Sequence, residues 1–96
     1  MMKHPIVNVI DLEMLCWENK SDENPYPEII EISIVEVSMK TLELKKEIQI
    51  YCKPSLGGTI SIFCRDLTGI TQKKIEKTNF NIESAIKQLN KKYGLQ

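Results

Sequence analysis

Asp11 and Glu13 stand two residues apart at the end of the apolar, β-branched run Ile6 to Glu13. In a strand, residues at that spacing project from one face while Leu12 points the other way. Two carboxylates confined to one small volume repel each other and lose hydration, and a divalent cation is the usual partner that offsets both costs. Hard oxygen donors suit Mg²⁺ or Mn²⁺. The spacing alone is a weak signal, because solvated strand faces often carry such pairs. Here the pair ends an otherwise apolar strand, and an irregular loop begins a few residues later, an arrangement common to sites built on rigid scaffolds.

The elements that must position this pair can be read from the hydrophobic pattern. Ile6–Glu13 reads as a central strand. The segment Glu18 to Pro27 is polar and carries Pro25 and Pro27, so it reads as an exposed loop. From Glu28 to Ser38, Ile30, Ile32 and Ile34 fall on one face and Ile29, Val35 and Val37 on the other, the pattern of a strand covered on both sides. Leu42, Leu44, Ile48 and Ile50 then alternate with Glu43, Lys45, Glu47 and Gln49, as in a half-exposed edge strand. The short link Met39 to Thr41 makes the last two strands an antiparallel hairpin.

After Pro54 and the turn at Gly57-Gly58 the period becomes helical. Thr71 is placed to cap a short helix from Gln72 to Lys77, with Ile70 and Ile75 as a hydrophobic staple. Asn81 is placed to cap a longer helix whose stripe is Ile82, Ala85, Ile86, Leu89 and Tyr93, with Gly94 as its stop. The sequence predicts an α/β chain: a three-stranded, mainly antiparallel sheet followed by two or three helices.

Ninety-six residues hold one small domain, and a formal net charge of zero gives no global attraction to nucleic acid. Binding of a polyanion must be local or carried by metal ions. Lys73, Lys74 and Lys77, with Lys87, Lys91 and Lys92, are interspersed with Glu76 and Glu83 and read first as solvated surface. Cys16, Cys52 and Cys64 form no C-x-x-C pair, so they read as reduced, mostly buried thiols and not as a zinc site. Trp17 reads as a packing anchor. The N-terminal apolar stretch is too short and polar for a signal peptide or membrane span, so a cytoplasmic protein without membrane association is expected.

The run Val9-Ile10-Asp11-Leu12-Glu13-Met14-Leu15-Cys16-Trp17-Glu18 resembles the first exonuclease motif of the DEDDh superfamily, in its histone-mRNA and small-RNA 3′-exonuclease branch. Further matches follow in the same order: Glu28 to Ile32, Thr41-Leu42-Glu43, Tyr51-Cys52-Lys53-Pro54 and Phe63 to Thr71. The resemblance covers nearly the whole chain, residues 1–96, as a single partial exonuclease domain. It implies a ribonuclease H-like fold, truncated, and two-metal hydrolysis of the terminal phosphodiester at the 3′ end of single-stranded RNA or DNA.

Position by position, the resemblance makes Asp11 and Glu13 catalytic metal ligands for Mg²⁺ or Mn²⁺. It places Leu67, Thr68 and Gly69 near the terminal nucleotide, with Met14 and Leu15 lending backbone and apolar surface to the same pocket. Leu15 departs from the family's usual Thr or Ser. The family's second-motif Asp and third-motif His and Asp fall beyond Gln96, and His4 precedes the first strand and does not match the family's general base. The isolated chain is therefore expected to show little catalysis and to expose apolar sheet surface, favouring self-association or completion by a second chain. The rival readings are a non-catalytic nucleic-acid or protein interaction module and the remnant of a disrupted exonuclease gene.

Overall fold

The computed structural model describes residues 5–19 and 26–93; His4, residues 20–25 of the polar loop and the helix stop at Gly94 lie outside them. The elements run β1 (Ile6–Met14), β2 (Ile29–Ser38), β3 (Leu44–Tyr51), α1 (Ile62–Thr68), α2 (Gln72–Lys77) and α3 (Ile82–Tyr93). All three strands pair antiparallel in the order β1-β2-β3. β2 is thus the central strand, as its two apolar faces require: Ile30, Ile32 and Ile34 are all buried.

β1 corrects the expectation of a central first strand. It pairs with β2 on one side, and among the described residues nothing pairs with it on the other. Its side chains are exposed almost throughout, Ile6, Val9 and Ile10 at about half their accessible area (56%, 52% and 48%). A run of β-branched residues reports a strand meant for burial on both faces, and burial needs a neighbour that these residues do not provide.

The hairpin between β2 and β3 forms, but its turn is longer than the Met39–Thr41 link. The Ser38 amide donates to the Glu43 carbonyl at 3.0 Å and the Leu42 amide to the Ser38 carbonyl at 2.7 Å. Leu42 has φ 62°, left-handed backbone that a branched aliphatic residue seldom adopts, so it belongs to the turn, and the strand starts at Leu44.

Two clusters hold the layers together. On one face Ile32, Ile34, Ile50 and Cys52 pack against Ala85 and Leu89 of α3. Each fully buried aliphatic side chain there contributes roughly 1.5–3 kcal/mol. The second cluster joins Leu15, Ile30 and Cys64 to Ile70 and Ile75, with Trp17 packed against it as an anchor. Ile30 therefore does not share a face with Ile32. The β1–β2 register slips between Glu13 and Met14, where Met14 pairs with Ile29, and this bulge turns Ile30 towards α1 and α2 while Ile29 packs with the α3 cluster.

The helix starts follow the side chains predicted for them. Thr71 Oγ1 accepts from the Lys74 amide at 3.2 Å. Asn81 and Ser84 cap reciprocally, the Ser84 amide donating to Asn81 Oδ1 at 2.8 Å and the Asn81 amide to Ser84 Oγ at 3.0 Å. In the α3 stripe Ala85 and Leu89 are buried, whereas Ile86 is exposed beside the uncovered flank of β1.

Candidate metal centre

The antiparallel register places Asp11 opposite Ser33 and Glu13 opposite Glu31. Paired residues share a face of the sheet, so Asp11, Glu13, Glu31 and Ser33 form one polar patch at the end of β1. Asp11 is exposed, Glu13 is partly buried and Glu31 is buried at 8% exposure. The Gln49 side-chain amide of β3 donates to Glu31 Oε2, fixing that carboxylate from the far side. Glu31 is the residue that reading the strand pattern missed. Its signal was the β1–β2 register, which motif spacing along one strand does not contain.

Directly opposed carboxylates destabilise a strand pair. Glu13 and Glu31 are such a pair, and Asp11 adds a further charge on the same face two residues along. Carboxylate oxygens are the hard donors that a divalent cation takes. Among the described residues no group of three or more His, Cys, Asp or Glu side chains forms a metal cage.

The extra residue of the bulge is Ile30 of β2, opposite the step from Glu13 to Met14, so the ladder turns irregular immediately after the carboxylates. The chain that leaves β1 is then fixed by main-chain bonds. The Leu15 amide donates to the Glu28 carbonyl at 2.9 Å, and Ser61 Oγ donates to the Cys16 carbonyl at 2.7 Å. The same Ser61 oxygen accepts from the Cys64 amide at 3.0 Å as the α1 N-cap, and Cys64 Sγ lies 3.6 Å from the Met14 carbonyl. α1 is in this way bonded to the end of the carboxylate-bearing strand.

The expected substrate-contact residues separate into two kinds. Met14 and Leu67 are exposed, at 47% and 68%, and present apolar surface. Leu15 is 2% exposed in the core cluster with Ile30 and Cys64, so its side chain offers no ligand surface and only its backbone remains available. The Leu at this position serves packing, which is why a hydroxyl-bearing residue is dispensable to the fold here. The Thr68 hydroxyl is engaged by the Cys64 carbonyl (2.8 Å) and the Ile70 amide (3.1 Å). Gly69, at φ 77°, closes α1 through a bond from its amide to the Arg65 carbonyl. Thr68 and Gly69 thus shape the turn that carries Leu67.

The thiols near the site are unreactive by environment. Burial, then the hydrogen bond and charge of Cys64, then Glu13, push Cys16 up to about 11. Burial alone takes Cys52 to about 11.

Comparison with known proteins bears on this geometry. The model of the family described as Exonuclease matches residues 8–95. The chain is 37% identical over 71 residues to human 3′-5′ exoribonuclease 1, covering 74% of this chain and 20% of that protein. It is 33% identical over 91 residues to the 3′-5′ exonuclease Snipper of Drosophila melanogaster, covering 94% of this chain and 32% of that protein. Among solved structures, the nuclease domain of 3′hExo, a DEDDh family member bound to rAMP, superposes with a TM-score of 0.82 at 30% identity over 96% of this chain and 46% of that one. A 3′-exonuclease solved for its 3′-end-specific recognition of histone mRNA stem-loop gives 0.79 at 31%, covering 99% of this chain and 43% of that one. The chain spans about a fifth to a third of the length of these curated relatives.

Proposed function

The chain belongs to the exonuclease family, whose model spans residues 8–95, and from that premise we propose that it forms the front part of a 3′-5′ exonuclease site acting on single-stranded RNA or DNA. Its fold is the corresponding part of a ribonuclease H-like DEDDh nuclease domain. Family members use divalent metal ions; in this chain Asp11 and Glu13 would hold Mg²⁺ or Mn²⁺. Such an ion, when bound, supplies charge stabilisation to a phosphodiester under attack by water.

The chain's own residues do the rest of the work assigned to this half. β1 holds the two carboxylates on one face, and Glu31, which accepts from the Gln49 amide, stands opposite Glu13. Met14 and Leu67 offer apolar surface to a terminal nucleotide, and the Leu15 and Cys16 main chain is held by Glu28 and Ser61. The observation that carries the proposal is the acidic patch of Asp11 and Glu13 opposite Glu31, at the bulged end of a strand in a chain of this family.

The test replaces the matching segment of human 3′-5′ exoribonuclease 1 with residues 6–93 and assays 5′-labelled single strands with Mn²⁺ or Mg²⁺. Stepwise shortening from the 3′ end, abolished by Asp11→Ala, is the expected result. A folded chimera that leaves every substrate intact would overturn it.

A further inference from the structure

The residue row that runs from Glu13 through Glu31 ends on β3 at Tyr51, so Tyr51 shares the face that carries the carboxylates. Two strand spacings separate it from Glu13, about 10 Å. Beside Tyr51 lies an open groove of about 340 Å³. Ile50, Tyr51 and Phe80 make its floor apolar, and Lys74 and Lys77 of α2 stand on its rim. This is the size at which small-molecule sites begin, roughly 300 Å³.

The two lysines lie three residues apart on one helix, hence on one side of it. Lys74 Nζ sits 5.8 Å from the Tyr51 ring centroid, within cation–π range. Neither lysine has a carboxylate partner among the described residues, unlike Arg65, paired with Asp66, and Lys87, paired with Glu83. The Gln49 and Thr78 side chains of the groove are already engaged. The Gln49 amide donates to Glu31, and the Thr78 hydroxyl donates to the Tyr51 carbonyl at 2.7 Å while accepting from the Phe80 amide at 3.2 Å. What the groove offers a ligand is therefore two ammonium groups above an aromatic and aliphatic floor. That combination of a cationic track with an aromatic platform is how single strands are held without sequence readout.

We infer that this groove is a nucleotide subsite for a single strand whose end lies at Asp11 and Glu13, with a phosphate between Lys74 and Lys77 and the sugar or base against Tyr51 and Phe80. The inference rests on the nucleic-acid reading above and adds to it a second point of attachment at the β3 edge of the same sheet.

Anisotropy titration of the full chain with a fluorescein-labelled oligouridylate, in EDTA and across 25 to 200 mM salt, tests it without any metal contribution. The doubly substituted K74A/K77A chain should bind at least fivefold more weakly at the lowest salt. Its slope of log affinity against log salt should be shallower by about 0.7, the value for one single-strand phosphate that is no longer neutralised. The exposed pair on α3, K87A/K91A, should leave both readings unchanged. An unaltered slope in K74A/K77A, or an equal loss in K87A/K91A, overturns the subsite. So does displacement of the RNA by a poly-glutamate peptide at equal concentration, which would make the groove an acidic-protein surface. An inactive chimera would sink the catalytic reading and leave the outcome of this titration untouched, because Asp11→Ala should not affect binding in EDTA.

Discussion

The carboxylates on β1 carry a local electrostatic cost. Glu13 faces Glu31 directly across the strands, an arrangement that costs a strand pair about 0.2–1 kcal/mol. Glu13→Gln should therefore raise metal-free stability by about that amount, measured by urea unfolding in EDTA. Added Mn²⁺ should raise the melting temperature of the wild type and leave that of Glu13→Gln nearly unchanged. Cys16 and Cys52 give a second prediction at this scale. Each thiol is pushed up to about 11, Cys16 by burial and then its Cys64 and Glu13 neighbours, Cys52 by burial. Both should label slowly with a thiol reagent at pH 8 in the folded chain and at the ordinary rate in denaturant. Of the residues that matter at the site, Asp11 and Glu13 were legible because i, i+2 spacing fixes a shared face whatever surrounds the strand. Glu31 was not, since facing Glu13 is a property of the β1–β2 register, and the long connection between those strands does not fix it.

At the scale of elements, the sequence specified most of what forms. The caps Thr71 and Asn81 and the staple Ile70–Ile75 lie where local chemistry puts them, because a cap is decided within one turn of chain. α1 shows what local chemistry leaves out. Its N-cap Ser61 also donates to the Cys16 carbonyl, a contact across 45 residues that joins the helix to the end of β1. Ser61→Ala removes both bonds and should cost about 1–2 kcal/mol by denaturant unfolding. Glu28 plays a comparable part for the turn after β3. Its carboxylate accepts from the Ser55 hydroxyl and amide and from the Leu56 amide, at 2.8 to 3.1 Å. Burial raises the Glu28 pKa, but the Ser55 hydroxyl bond and the two backbone bonds together outweigh it and hold the carboxyl below its ordinary value. The folded value is the lower one, so this contribution is complete above the ordinary carboxylate pKa of about 4.5 and is lost as pH falls through the lowered value. The stability gap between wild type and Glu28→Gln should accordingly be flat near neutrality and shrink below about pH 4.5.

At the scale of the molecule, the chain is less compact than its size requires. Its radius of gyration is 15.7 Å, against about 13 Å for a compact 100-residue domain. Part of the reason is β1, whose outer edge and apolar side chains face solvent, and whose flank beside α3 is an entirely apolar groove reaching from Ile10 and Leu12 to Ile86. Edge strands of this kind pair with other chains unless a charge interrupts them. Sedimentation at micromolar concentration should show self-association, and Val9→Lys, which puts a charge on that edge, should restore the monomer. Reading β1 as central was therefore correct about the composition of the strand and wrong about its surroundings. Apolarity on both faces states a need for neighbours, and the number of neighbours is set by the rest of the sheet.

The claim on which the account depends is that Asp11 and Glu13 together bind a divalent cation. Titration of Mn²⁺ into the chain at neutral pH, followed by the electron paramagnetic resonance of the free ion, measures this directly and requires no turnover. A saturable site is expected, weakened by at least about tenfold in each of Asp11→Ala and Glu13→Ala, since even partners one shell out from a metal are worth roughly 10–100-fold. Equal Mn²⁺ binding by the wild type and both variants would contradict it.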